Sequence, residues 1–200
     1  MSEKRINLAN FIEKSRVNGP GVRAVVWVQG CHFHCPGCFN QENQSFKKKN
    51  LVSVSELAYK ILMIEGIDGV TFSGGEPFNQ AAALSEIAAI LKEHGLTVMI
   101  FTGYTYRELK AGNRKSWNKL LAHTDLLVAG RFVQAKTVKG IPLIGSSNQE
   151  IVSITGKIGQ PEGNSTPSVE IKLTPNGIYV TGFPSETLLK KIKHMAGADE

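Results

Sequence analysis

Apolar residues along this chain follow two rhythms. Short β-branched runs fenced by glycine or polar residues alternate with longer stretches whose apolar positions return every three or four residues. Val22 to Val28, between Gly19-Pro20-Gly21 and Gly30, predicts a buried strand. Ser53 to Ile64 predicts a helix, with Ser53 as N-cap, Glu56 three residues on, and Leu57, Ile61 and Ile64 as the periodic face. Gly69-Val70-Thr71-Phe72 is a short strand running into Ser73-Gly74-Gly75-Glu76-Pro77, and a helix from about Asn79 to His94 follows, closed by Gly95. Leu96 to Phe101 is a third strand. A helix from Tyr106 into the segment 117–122 is interrupted near Gly112-Asn113, and Asp125 to Val128 is a fourth strand. This alternation predicts an α/β fold of right-handed βαβ units around a parallel sheet, with ligands at the carboxyl ends of the strands. The loops after Val28 and Phe72 both leave such ends, so they are expected to open onto one rim.

The last third changes character. Lys157 to Ser168 is rich in Gly, Pro, Asn and Ser and reads as a flexible loop. Val169 to Leu173, a turn at Pro175-Asn176-Gly177, and Ile178 to Val180 predict a β-hairpin, and a short helix begins near Ser185. With 200 residues and 42% hydrophobic content, the chain is expected to form one globular unit, residues 1–156, with residues 157–200 appended to it. The charged start Met1 to Arg5 lacks an apolar h-region and no stretch is long enough to cross a bilayer, which predicts a cytoplasmic protein without a membrane partner. A net charge of +6 admits nucleic acid, an acidic protein or an anionic cofactor as partner. Lys47-Lys48-Lys49 and Lys190-Lys191-Ile192-Lys193 read first as solvated faces, and second as a basic rim for an acidic partner.

Chemistry concentrates elsewhere. All three cysteines of the chain, Cys31, Cys35 and Cys38, lie within eight residues at the end of the first strand. Thiolates suit iron–sulfur clusters and zinc. A [4Fe–4S] cluster normally takes four cysteines, and with none to spare here one iron would stay open to bind a small molecule. Zinc, with His32 or His34 as fourth ligand, is the rival, although no second ligand pair follows at structural-zinc spacing. Gly30, Pro36 and Gly37 mark the segment as a loop rather than core. Ser73-Gly74-Gly75-Glu76-Pro77 adds a strand end where glycines admit a ligand close to the backbone and Glu76 offers an acceptor for an amino group.

Cys31-x-x-x-Cys35-x-x-Cys38 followed by Gly74-Gly75-Glu76-Pro77 at the next strand end resembles the paired signature of the radical S-adenosylmethionine (SAM) superfamily. The resemblance implies a partial (β/α) barrel in which the three cysteines hold a [4Fe–4S] cluster and SAM chelates the fourth iron. It also implies that Gly74, Gly75 and Glu76 orient the methionyl amino group, with Gly37 and Phe39 beside the cofactor. Phe39 has a core aromatic as its other reading.

A narrower set, Cys31 to Asn40, Phe101-Thr102-Gly103-Tyr104 and Gly145-Ser146-Ser147-Asn148-Gln149, is similar to the activating proteins of anaerobic ribonucleoside-triphosphate reductase. That similarity implies an enzyme that cleaves SAM reductively to a 5′-deoxyadenosyl radical and makes a glycyl radical on the reductase. A one-electron donor such as flavodoxin or ferredoxin would supply it. Asp125 to Phe132 departs from the family's Asp-Gly-x-Phe, because Ala129 replaces the acid and Arg131 adds a base. The alternatives are action on another glycyl-radical enzyme, or on a small molecule such as a deazapurine precursor. A zinc-binding nucleic-acid module is the rival of a different class, against which the βα pattern and the few aromatics among the lysines both argue.

Overall fold

A computed structural model describes residues 3–159, 169–174 and 177–195. The predicted loop over 160–168 and the turn at Pro175-Asn176 lie outside the described residues. In chain order the elements are β1 (Arg5–Ser15), β2 (Arg23–Val28), β3 (Leu51–Ser53), α1 (Val54–Leu62), β4 (Gly69–Gly74), α2 (Ala81–Glu93), β5 (Thr97–Thr102), α3 (Tyr106–Ala111), α4 (Lys115–Ala122), β6 (Leu126–Ala129), β7 (Glu150–Ser153), β8 (Val169–Thr174), β9 (Gly177–Gly182) and α5 (Glu186–Met195). Among the described residues no helix is long and apolar enough to cross a membrane.

The main sheet runs β3-β1-β2-β4-β5-β6-β7. Its centre, β2-β4-β5-β6, is parallel, whereas β1 and β7 pair antiparallel with β2 and β6. The fold is therefore α/β with an open sheet, β3 and β7 standing at opposite edges rather than closing a ring. Alternate residues of the parallel strands face opposite layers. Val26, Val28, Phe72, Ile100 and Leu127 join one core with Leu57 and Ile61 of α1, Leu84, Ile87 and Leu91 of α2, and Trp117 and Leu120 of α4. On the other face Val25 and Trp27 pack with Ile12, and Met99, Leu126 and Val128 with Leu143 and Ile158.

The β8-β9 hairpin covers this second face. Tyr179 meets Trp27 edge-on with ring centroids 6.2 Å apart, and Phe183 lies 6.4 Å from Phe101. Asn18 Nδ2 donates to Thr181 Oγ1 at 2.9 Å.

Two buried charges tie the lower ends of the strands. Asp125 at the foot of β6 accepts from Lys92 Nζ at 2.5 and 2.6 Å, from Val98 N at 2.8 Å and from Thr155 Oγ1 at 2.7 Å. Arg23 at the foot of β2 is 1% exposed. Its guanidinium donates to Thr71 Oγ1, Pro20 O, Val70 O, Thr97 Oγ1 and Thr97 O at 2.8–3.2 Å, all neutral acceptors. Burial pushes its pKa down to about 10.

The structure corrects several expectations. Strand β4 continues through Gly74, and Pro77–Gln80 forms a 3₁₀ turn, so helix α2 starts at Ala81 rather than near Asn79. Proline at the first turn position and the Glu76 side chain bonded to Phe78 N explain the tighter start. The interruption at Gly112-Asn113 separates α3 from α4, as anticipated, with Asn113 at φ +40°. Strands β1, β3 and β7 were not expected.

Candidate functional site

The cysteine loop leaves β2 and is stitched back to the chain ahead of β3. Gly30 N donates to Asn43 O at 2.8 Å, Cys31 N to Gln44 O at 2.9 Å, and Gln29 Nε2 to Ser45 O at 2.6 Å. A turn closes between Cys38 N and Cys35 O at 3.1 Å. Gly37 takes φ +71°, a conformation that favours glycine, and a Cβ there would also press on the Gln134 side chain at 3.1 Å.

All three thiols are half-buried and free. Burial pushes the Cys31 and Cys35 thiols up. The backbone N–H groups of Phe33 and His34 pull against this at Cys31, while Cys38 raises and Phe132 N–H and Arg131 lower the Cys35 thiol. Cys35 thus feels both other members of the trio, Cys31 on one side and Cys38 on the other. Among the described residues no three His, Cys, Asp or Glu side chains converge tightly enough for a single ion. A [4Fe–4S] cubane takes one thiolate at each iron, so the three thiols of one loop would fill three of its four positions. The donor set fits a cluster. His32 and His34 instead bond Tyr104 Oη and Gln44 Oε1, each at 3.2 Å.

The second loop joins the first. Gly75 N donates to Val28 O at 2.7 Å and Glu76 N to Gly30 O at 2.9 Å. A Cβ on Gly75 would fall 2.7 Å from the Gly30 carbonyl carbon and 2.9 Å from Asn43 O, and one on Gly74, at φ +101°, 2.6 Å from Val28 N. These glycines let the two loops touch backbone to backbone. The two motifs, read from separate segments, do open onto one rim.

Glu76 is 1% exposed. Its Oε1 accepts from Phe78 N at 2.8 Å and Thr102 Oγ1 at 2.9 Å, and its Oε2 from Gly103 N at 2.8 Å. Burial pushes its pKa up to about 7 against the pull of those three hydrogen bonds. The carboxylate therefore binds the end of β5 to the Gly-Gly loop. Sequence reasoning gave it a ligand role only and missed Thr102 and Gly103 as its partners, although both stand in the matched Phe101-Thr102-Gly103-Tyr104 segment.

Aromatics pack beneath. Phe33 lies 4.8 Å from Tyr104 and 4.1 Å from His32, and the Arg131 guanidinium sits 4.4 Å above its ring. Phe39 is 50% exposed, which removes its core reading. Gly145 to Gln149 packs against residues 130–133: Asn148 Nδ2 donates to Arg131 O at 2.8 Å, Gln149 Nε2 to Gly130 O at 3.0 Å, and Ser146 Oγ accepts from Val133 N at 3.1 Å.

A family model described as "4Fe-4S single cluster domain" matches residues 17–152. The anaerobic ribonucleoside-triphosphate reductase-activating protein of Vibrio cholerae is 34% identical over 148 residues, covering 70% of this chain and 92% of that protein. Its counterpart in Pasteurella multocida is 29% identical over 161 residues, covering 75% and 99%. The pyruvate formate-lyase-activating enzyme of Clostridium pasteurianum is 36% identical over 118 residues, 56% of this chain and 46% of that enzyme. The solved structure of QueE from Escherichia coli overlaps at a TM-score of 0.37 and 19% identity over 52% of this chain and 53% of that one, too little to bear on fold or function. One thiolate short of a closed cluster, and matched to a relative along nearly its whole length, this chain belongs to the radical SAM activating enzymes, whose cofactors are a [4Fe–4S] cluster and SAM.

Proposed function

We propose that this enzyme installs a glycyl radical on an anaerobic ribonucleoside-triphosphate reductase. When bound, the cluster and SAM supply one-electron cleavage to methionine and a 5′-deoxyadenosyl radical, which takes a hydrogen atom from a backbone glycine. Cys31, Cys35 and Cys38 hold the cluster. Gly74, Gly75 and Glu76 form the wall that meets the methionyl amino group. A carboxylate offers about four acceptor positions, and the three internal donors on Glu76 leave one for that group. Gly37 and Phe39, exposed on the cysteine loop, flank the cofactor.

The observation that carries this reading is the direct bond from Glu76 N to Gly30 O, next to Cys31, which brings a SAM-type loop against a three-thiol loop. The choice of target is supported by length: reductase-activating relatives are matched over 90–99% of their chains, the Clostridium pyruvate formate-lyase activator over 46%. A one-electron donor such as flavodoxin or ferredoxin would supply the electron, and the chain's net charge of +6 would favour docking of a carrier with an acidic face.

The test is anaerobic reconstitution with iron and sulfide, followed by electron paramagnetic resonance (EPR) with SAM and either the reductase or pyruvate formate-lyase. A [4Fe–4S] signal that shifts with SAM, is lost in Cys35→Ala, and yields an organic radical on the reductase is expected. A radical on pyruvate formate-lyase alone would move the assignment to another glycyl-radical enzyme. Turnover of a small molecule such as a deazapurine precursor, with no protein radical, would overturn it.

A further inference from the structure

We propose that Arg131 is a positioning residue for the cluster, holding the cysteine loop through Phe33 and setting the reduction potential by a fixed positive charge over that loop. The inference rests on the radical SAM reading. It begins from a loop that the function leaves without a role.

The segment 130–133 follows β6 and is held by a set of backbone hydrogen bonds. Gly130 N donates to Thr102 O and Tyr104 O at 3.1 and 2.9 Å. The Gly130 and Arg131 carbonyls are taken by the Gln149 and Asn148 side chains, and Val133 N by Ser146 Oγ. Gln149 Oε1 in turn accepts from Gly145 N and Ser146 N at 2.9 and 3.1 Å, which fixes its own orientation. Residues 145–149 thus form a bracket around 130–133 in which the Gln149 amide is oriented from both ends.

What the bracket holds is aimed at the cysteines. The Phe132 ring comes within 3.4 Å of where a Cβ on Gly37 would sit, and the Arg131 guanidinium lies 4.4 Å over the ring of Phe33, the residue midway between Cys31 and Cys35 in sequence; Phe132 N–H and Arg131 both favour the Cys35 thiolate. Gly103 packs against the edge of the Phe33 ring, where a Cβ would come within 2.5 Å. Phe33 therefore touches both the end of β5 and Arg131. Cluster potentials respond to net charge, to hydrogen bonds on the sulfurs and to solvent exposure. Accepting one electron from a low-potential donor adds one negative charge to a site already carrying three thiolates, and a cation held nearby favours the reduced form. Arginine suits the position, because its planar guanidinium stacks on an aromatic ring while keeping its charge. Arg131, at the open position of that segment, thereby acquires a physical task.

The experiment is an EPR-monitored redox titration, with dithionite and mediators, of reconstituted wild type, Arg131→Met and Arg131→Lys, with thermal unfolding run alongside. Arg131→Gln, which removes the charge but keeps a polar chain, substitutes for Arg131→Met if that variant does not fold. Loss of the charge is expected to lower the midpoint, shifting the oxidised-to-reduced ratio at fixed potential by roughly threefold to tenfold, at most about 59 mV. Arg131→Lys is expected to stay near wild type. A neutral variant that carries the cluster at the wild-type midpoint would overturn the proposal, even if it melts earlier. Failure of wild type to assemble a cluster would instead sink the radical SAM reading, so the two failures are distinguishable.

Discussion

Gly75→Ala tests the contact on which the site depends. The added Cβ would meet Gly30 C at 2.7 Å and Asn43 O at 2.9 Å, and these are backbone atoms with no rotamer to yield. Ordinary contact requires more than 3.4 Å, so the Gly-Gly loop must withdraw from the cysteine loop by about half an ångström or more. Doing so strains the Gly75 N to Val28 O and Glu76 N to Gly30 O bonds. Overpacking of this kind costs roughly 1–3 kcal/mol. For a chain of 200 residues that is a fall in Tm of roughly 2–12 °C. Thermal unfolding by circular dichroism, under anaerobic conditions on apoprotein, measures it. Gly159→Ala is the control, because nothing lies within 4 Å of its Cβ, and its change should stay within about 0.5 kcal/mol. If Gly75→Ala melts together with Gly159→Ala, the claim that the two loops are locked backbone to backbone is wrong.

Other outcomes follow from the buried polar groups. Asp125→Ala leaves Lys92 without its partner and Val98 N and Thr155 Oγ1 without acceptors, and should cost about 3 kcal/mol in urea unfolding; a loss below about 1 kcal/mol would contradict it. Burial works against the Asp125 charge, yet its hydrogen bonds to Lys92, Thr155 and Val98 hold the carboxyl below its ordinary value. Its contribution should be complete above that value and disappear as pH falls through the depressed one. Glu76 has the opposite sign. Burial raises it from 4.5 to about 7, so the folded state keeps a proton that the unfolded chain releases, and stability should decline as pH rises across that window. Glu76→Gln should flatten the decline in denaturation curves taken at several pH values, and an unchanged slope would disprove the assignment. Trp117→Phe removes the Nε1 bond to Phe78 O at 3.0 Å and should cost about 1 kcal/mol by the same assay; an unaltered midpoint would show that the bond contributes nothing.

The parallel centre of the fold was legible because β2, β5 and β6 carry unbroken apolar runs over Ala24–Val28, Val98–Phe101 and Leu126–Ala129, while β4, interrupted by Thr71, was marked by the glycines at its ends. β1 was not. Its eleven residues Arg5 to Ser15 break alternation where register shifts fall between Leu8 and Asn10 and between Ile12 and Ser15, so no single period survives. β3 and β7, of three and four residues, are too short to carry a pattern and owe their form to the neighbours they pair with. In the site, the cysteine spacing and the Gly-Gly-Glu run are local and could be read directly. The inward turn of Glu76 and the bracket around 130–133 could not, since Asn148 and Gln149 act on backbone carbonyls 17 and 19 residues away. Side-chain to backbone bonds over such separations leave no periodic trace.

Arg23 carries a consequence for how the sheet comes to be assembled correctly. Its five donor contacts reach the foot of β4, the foot of β5 and the turn before β2. Lysine, with one point of charge and three donors, cannot span them. A slip of one residue in any of the parallel pairings turns side chains to the opposite face, and would carry the guanidinium away from those acceptors and leave it in apolar surroundings. Misaligned sheets are thus rejected by an unpaid desolvation cost, and the arginine acts as a proofreader of strand register far from the rim where the chemistry takes place.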